Sequence, residues 1–393
     1  MDSFYRPTWL EISLDALRAN LLAFRRRLPE TIRMLAVVKA DAYGHGAVEV
    51  AKEALDAGAE YLAVALLDEA LELREAGVTA PILVLGYTPE TGIPLALEHD
   101  ITLTVFTDAM LEALAARAGT GKRARVHIKL DTGMGRIGLH DEEEALAFIR
   151  RAVAMPELNV EGMFTHFARA DEEDKSYTFE QHARFERVVK RLDAEGLSIP
   201  LLHTGNSAAA IELPELSYNM VRLGISMYGI YPSDEVKKDI VRLEPVMALK
   251  TTIVHLKELP AGCGVSYGSR YVTQRDGERI ATLPIGYADG YSRMLTGKAQ
   301  ALVRGVRVPV AGTICMDQCM LTLKDGPEAA IGDEVVLFGR QGEAVLAVEE
   351  LADAMGTIPY EVVCMMARRL PRVYIRGGQA VRTVNRLQTG RNG

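Results

Sequence analysis

Lys39 stands directly after the apolar run Met34–Leu35–Ala36–Val37–Val38. An ammonium at the end of a buried strand is costly to desolvate unless it is paired or its pKa falls. A lowered pKa would make the amine nucleophilic enough for Schiff-base chemistry. The bland alternative is a lysine whose head snorkels out of the strand end. The following Ala40–Asp41–Ala42–Tyr43–Gly44–His45–Gly46 is short, polar and glycine-hinged, as a ligand-facing turn would be. Three more polar groups follow apolar runs further along. His166 comes after Met163–Phe164–Thr165, and His203 opens His203–Thr204–Gly205–Asn206–Ser207. Arg222 lies inside Met220–Val221–Arg222–Leu223–Gly224–Ile225, where a guanidinium needs a partner. Each alone also reads as a satisfied core histidine or a helix cap.

These residues need strands to carry them, and the pattern provides strands. Apolar runs at Met34–Val38, Leu62–Leu66, Ile82–Leu85, Thr102–Val105, Arg125–Leu130, Asn159–Phe164, Pro200–His203 and Met220–Ile225 predict eight strands. Amphipathic stretches at Ala47–Ala57, Asp68–Ala76, Asp108–Ala118, Glu142–Ala154 and Tyr177–Glu195 predict helices between them. Gly58, Gly77 and Gly196 fall where left-handed helix caps are expected. Eight strands alternating with helices predict an α/β fold, a (β/α)8 barrel over residues 1–240; a doubly wound sheet usually holds fewer parallel strands. Lys39, His166, His203 and Arg222 then share the rim where barrel enzymes keep their chemistry, and small residues after the seventh and eighth strands suit a phosphate. Residues 241–393 read as a second, mostly β domain, with short β-branched runs at Leu249–Leu256, Arg279–Ile285, Ala301–Val310, Ile314–Leu323 and Glu334–Phe338. Val348–Met355 still looks helical, and Pro7–Ser13 alternates like a strand that pairs with this second domain. Among 393 residues, 48% hydrophobic and 25% charged with a net charge of −8 and no long basic run argue against a nucleic-acid binder. No apolar stretch is long enough for a membrane span, and the N-terminus lacks a signal pattern, so a cytoplasmic protein is expected. Four scattered cysteines fit neither a disulfide framework nor a metal site and are expected to be buried thiols.

Taken in order, these segments resemble the bacterial alanine racemases. Ala36–Val37–Val38–Lys39–Ala40–Asp41–Ala42–Tyr43–Gly44–His45–Gly46 is similar to the pyridoxal-phosphate attachment segment of that family. Asp131–Thr132–Gly133–Met134–Gly135–Arg136, Thr165–His166–Phe167, His203–Ser207 and Met220–Gly224 match as well. In the second domain Gly264–Val265–Ser266–Tyr267–Gly268, Pro284–Gly290 and Cys315–Met316–Asp317–Gln318 match in the same order. The resemblance spans the chain from the first strand to Tyr360. Asp41 departs from it, since the family often has asparagine there.

The resemblance implies a pyridoxal 5'-phosphate enzyme that interconverts L- and D-alanine and supplies D-alanine for peptidoglycan, with no metal. Lys39 would hold the cofactor and act as one base. Tyr43, His166, Asn206, Ser207, Arg222, Gly224, Ile225 and Tyr360 would surround the cofactor, with Arg222 facing the ring nitrogen. The second base would be Tyr267, reaching the site from the other subunit of a homodimer, in a polar chain Tyr267–His166–Arg222. Arg136 and the Met316 backbone would bind the substrate carboxylate, Tyr287 would narrow the entrance, and Asp317 would support the site or serve only as a turn residue. Lys129 would carry a carbamate that orients Arg136. A non-catalytic cofactor-homeostasis barrel resembles only the first 240 residues. A related amino-acid decarboxylase fits Arg222 poorly, and a broader-specificity racemase remains as the alternative.

Overall fold

In a computed structural model that describes residues 3–117 and 123–388, the chain's own contacts divide it into two units. One comprises Leu17–Ala42 and Ala47–Glu244; the other comprises Met1–Ala16, Tyr43–Gly46 and Pro245–Gly393. The first strand, β1 (Thr8–Ser13), belongs to the latter. The former holds β2 (Arg33–Val37), β3 (Tyr61–Val64), β4 (Ile82–Val84), β5 (Thr102–Val105), β6 (Ala124–Lys129), β7 (Leu158–Phe164), β8 (Leu201–His203) and β9 (Met220–Leu223). These eight lie in one parallel sheet, in the order β8-β7-β6-β5-β4-β3-β2-β9. Every residue of β3, β4 and β5 is buried, as a parallel sheet covered on both faces requires.

The ring nearly closes between β8 and β9. There Asn219 N–H donates to the Leu202 carbonyl at 3.3 Å, and Arg222 N–H donates to the Gly205 carbonyl at 3.1 Å. The Asn219 side chain accepts from Leu202 N–H at 2.8 Å and donates to the Pro200 carbonyl, standing in for ladder bonds. Helices Ala47–Asp56, Leu67–Glu75, Asp108–Arg117, Glu142–Ala154 and Ser176–Ala194 follow strands as the periodicity predicts; Ala118 lies outside the described residues. Gly58, Gly77 and Gly196 take φ of 99°, 83° and 74°, the left-handed caps expected of them. The chain therefore forms a (β/α)8 barrel followed by a mostly β domain.

The second unit adds β10 (Met247–Thr252), β11 (His255–Leu259), β12 (Gly264–Val265), β13 (Tyr271–Val272), β14 (Glu278–Leu283), β15 (Gln300–Val303), β16 (Val306–Pro309) and β17 (Cys319–Thr322). It ends with β18 (Glu334–Gln341), β19 (Ala344–Leu346), β20 (Arg372–Arg376) and β21 (Gln379–Val384). The larger sheet runs β16-β15-β18-β10-β1-β20-β21, with β1 antiparallel to β10 and parallel to β20. A smaller sheet runs β11-β14-β17. Three apolar runs break differently from their appearance in sequence. Leu249–Leu256 is two strands in two sheets, because buried Ile253 turns the corner and exchanges backbone bonds with Asp333 and Gly332. Ala301–Val310 is a hairpin whose two-residue turn puts Arg304 and Gly305 at φ 49° and 76°. In Ile314–Leu323 only Cys319–Thr322 is strand; Cys315 N–H donates to the Gln318 carbonyl and closes a turn that exposes Met316. The cysteines are also less uniform than expected, since Cys319 is buried but Cys364 is exposed.

Candidate active site

Lys39 sits at the C-terminal end of β2, half-buried, at the mouth of a backbone segment with no glycine. Ala40, Asp41, Ala42 and Tyr43 all take φ between 52° and 55°, one turn of left-handed helix. Left-handed backbone costs a non-glycine residue about 1–2 kcal/mol, so the turn persists only because its surroundings fix it. Ala42 N–H donates to the Val38 carbonyl at 2.9 Å, and Ala40 N–H donates to Glu69 Oε1 at 2.6 Å. Glu69 Oε2 also accepts from Ala65 and Leu66 N–H, tying the turn to the end of β3. Asp41 accepts from Ala47 N–H at 2.9 Å and so fixes the start of the next helix.

Arg222 on β9 is buried and, among the described residues, makes five hydrogen bonds, none to a carboxylate. Nη1 donates to the His203 carbonyl and to His203 Nδ1, both at 3.0 Å. Nη2 donates to the Thr165 and Thr204 carbonyls and to His166 Nδ1 at 3.1 Å. Burial and the Arg136 charge lower its pKa to about 9, which still leaves it charged at neutral pH. Because a guanidinium has only donors, the Nδ1 atoms of His166 and His203 must both accept. Both rings are neutral, held well below the usual histidine value by burial and then by Arg222. His166 therefore carries its proton on Nε2 and can donate there.

Around His166 the charges of Arg222, Arg136, Lys129 and Lys39 converge. Lys129 ends β6 with its Nζ donating to the Leu130 carbonyl and 5.3 Å from the Phe164 ring centroid. Burial and the Arg222 charge lower its pKa to about 7, so a good share of it is a free amine near neutrality. Arg136 rides on a loop built by one carboxylate. Asp131 Oδ1 accepts from the N–H groups of Gly133, Met134 and Gly135, and Oδ2 accepts from Arg136 N–H. Burial raises the Asp131 pKa, but those three glycine- and methionine-borne bonds outweigh it and keep the group ionised. After β8, Asn206 caps the helix Ser207–Glu212 by accepting from Ala209 N–H. After β9, Gly224 N–H donates to Ser207 Oγ at 2.9 Å, and Ile225 begins a 3-10 turn. Two helical starts, Ser207–Glu212 and Ile225–Tyr228, thus follow the C-terminal ends of β8 and β9, an arrangement suited to an anion.

The remaining predicted residues lie in the other unit. Tyr43 and Tyr360 face each other with ring centroids 6.3 Å apart, and burial pushes the Tyr43 phenol well up. Tyr267 stands 74% exposed on a turn, between Ser266 at φ 66° and Gly268 at φ 72°. That turn is pinned by Ser266 Oγ donating to the Thr313 carbonyl and Thr313 Oγ1 donating to the Tyr267 carbonyl. Tyr267, Met316 and Asp317 line one depression of about 520 Å³. Tyr287 lies beside it through backbone bonds of Tyr287 and Ala288 N–H to the Cys315 and Met316 carbonyls. Asp317 is more than a turn residue: Arg369 Nη2 donates to it at 2.6 Å. Arg369 Nε also donates to buried Asp289, which Arg6 grips with two bonds. Asp289 lies inside the matched Pro284–Gly290 segment, yet its role was not read from sequence; an aspartate in a glycine-rich turn looks ordinary. Asp131 and Glu69 escaped for the same reason, since they act on backbone rather than on ligand.

Comparison with known proteins gives a consistent set. A family model described as the N-terminal domain of alanine racemase matches residues 12–232, and one described as its C-terminal domain matches residues 246–374. An alanine racemase of Desulforamulus reducens is 50% identical over 94% of this chain and 99% of its own length. The solved alanine racemase of Clostridium difficile 630 superposes with a TM-score of 0.94 at 44% identity, covering 98% of this chain and 100% of that one. A histidine racemase of Leuconostoc mesenteroides also superposes, with a TM-score of 0.88 at 33% identity over 95% of this chain and 100% of its own.

Proposed function

The chain belongs to the alanine racemase family, and from that premise we propose that it interconverts L- and D-alanine with pyridoxal 5'-phosphate and two bases on opposite faces of Cα. The observation that carries this reading is the cationic rim around His166, with Lys39 at its edge and Arg222 held only by neutral acceptors. The described residues fit the cofactor on three counts. Lys39 offers an amine for its aldehyde, and Arg222 offers a charged donor for its ring nitrogen. Asn206, Ser207, Gly224 and Ile225 offer hydroxyl and N–H donors for its phosphate. When bound, the cofactor supplies an electron sink that acidifies the Cα–H of the amino acid.

The chain's residues do the rest. Arg222 stays protonated and cannot pass its proton to the ring nitrogen, so the sink stays weak and side reactions are suppressed. Lys39 Nζ moves a proton at Cα on one face. Tyr267 of the partner subunit moves a proton on the other face, which makes the active enzyme a homodimer; the exposure of Tyr267 on its own chain supports this. An unperturbed phenol has a pKa near 10 and is a poor base at neutral pH. His166 Nε2–H is the donor that would hold the ionised phenol, completing the chain Tyr267–His166–Arg222. Arg136 and the Met316 backbone bind the carboxylate, with Tyr287 and Asp317 bounding the entrance. Lys129, as a partly neutral amine, is chemically ready to take up carbon dioxide as a carbamate facing Arg136. Residues 1–240 would thus hold the cofactor and 241–393 lend the second base, in a cytoplasmic enzyme feeding peptidoglycan synthesis.

A racemase acting on histidine shares this fold, so substrate choice rests on the entrance rather than on the barrel. Incubating the purified protein with L-alanine, L-histidine and other larger L-amino acids, with and without added pyridoxal phosphate, and following optical rotation tests the reading. Cofactor-dependent loss of rotation fastest with alanine is expected. Inert alanine, or faster turnover of a larger amino acid, would overturn it.

A further inference from the structure

Behind Arg222 a line of polar groups runs through the interior of the barrel. His203 Nε2 lies 2.8 Å from His127 Nδ1, and both rings are fully buried. His127 Nε2 lies 3.7 Å from Glu161 Oε2, a close contact rather than a hydrogen bond. Glu161 Oε2 accepts from the Tyr61 hydroxyl at 2.7 Å. We propose that Glu161 and His127 are positioning residues for the reaction: through His203 they hold Arg222 in place by dictating which nitrogen of each imidazole carries the proton.

The direction of the line follows from Arg222. It can only donate, so His203 Nδ1 accepts and the His203 proton sits on Nε2. That proton points at His127 Nδ1, which must accept, so the His127 proton sits on Nε2 and faces the Glu161 carboxylate. The alternative neutral state reverses both rings. His203 would then aim an N–H at the Arg222 Nη1–H, two donors 3.0 Å apart, and the guanidinium would lose one of its acceptors. A negative charge at position 161 favours the first state from the far end of the line, as Arg222 does from the near end. Glu161 is ionised: burial pushes its pKa up, but the His127 ring, the Tyr61 hydroxyl and the Arg125 charge bring it to about 2. Burial keeps His127 neutral, so this is charge facing an N–H dipole and not an ion pair.

The barrel is shaped to admit these rings. A Cβ at position 162 would fall 2.5 Å from His127 Cε1 and Nδ1, so Gly162 is glycine for space. The β6–β7 register shifts between Val126 and His127, at the ring itself. Phe164 stacks on His203 at 4.7 Å with an interplanar angle of 3°, fixing the plane in which its nitrogens point.

The catalytic consequence rests on the proposed reading of Arg222, whereas the tautomer claim does not. Nitrogen-15 NMR of histidine-labelled, cofactor-loaded enzyme reads both rings directly. In the parent protein His127 and His203 should each be protonated at Nε2 and bare at Nδ1. In Glu161→Leu, a population of His203 protonated at Nδ1 should appear. The absorption band of the bound cofactor should move, and kcat should fall about tenfold or more with KM for alanine changed little. Glu161→Asp should restore all three in part. Glu161→Met, close in shape and without an acceptor oxygen, carries the same test if the leucine variant does not fold. Unchanged His203 tautomers in Glu161→Leu and Glu161→Met would overturn the proposal. Shifted tautomers in a protein whose parent does not racemise alanine would leave the positioning of Arg222 standing and sink the racemase reading instead.

Discussion

Lys129 shows how one residue's surroundings become a measurable property. Its folded pKa is about 7 against the ordinary lysine value of 10.5, because burial and the Arg222 charge disfavour the ammonium. Between those values the unfolded chain binds a proton that the folded chain has shed, so this group makes stability rise with pH across the window. Below pH 7 both states are protonated and the full desolvation cost, on the order of 5 kcal/mol as an upper bound, is carried by the fold. Denaturant unfolding of the parent and Lys129→Met across that window should give curves that converge as pH rises, with the variant the more stable at the acid end. Parallel curves would mean that the amine is already neutralised, for example by a carbamate. Lys39 and Arg222 were legible at this scale because a charge inside or after an apolar run stands out. Glu161 and His127 were not: alternating polar residues on a strand look like one solvated face, and only closure of the barrel turns that face inward.

At the scale of elements, the turn that follows β2 and Lys39 is strained backbone. Ala40 is exposed and left-handed, so Ala40→Gly removes strain without removing packing. A gain of about 1 kcal/mol is expected in unfolding free energy, read by denaturant titration. No gain would show that the turn is not strained in solution. Nothing in Ala40–Asp41–Ala42–Tyr43 announces this conformation, since left-handed backbone is normally signalled by glycine. The strands of the barrel were legible because they are uninterrupted apolar runs, and most long helices because their periodicity extends over several turns; the 14-residue helix Leu14–Arg27 was not among the spans expected. Short elements were not. Ile93–Glu98 and Pro359–Cys364 span six residues each, too few for a period to show. The Arg304–Gly305 turn vanished inside a β-branched run because two residues suffice to reverse it.

At the scale of the whole molecule, the family resemblance runs through both halves, from residue 12 to residue 374. That breadth separates the chain from cofactor carriers built on the barrel alone. The net charge of −8 has no part in the chemistry, because a small zwitterion needs only the local cationic rim. In the proposed mechanism two bases, Lys39 and Tyr267 of the partner subunit, work opposite faces of one carbon. Loss of α-deuterium from [2-²H]-L-alanine and [2-²H]-D-alanine into water, measured separately with parent and Tyr267→Phe enzymes, tests it most directly. The substitution should suppress washout from one enantiomer far more than from the other. Equal suppression in both directions would contradict it.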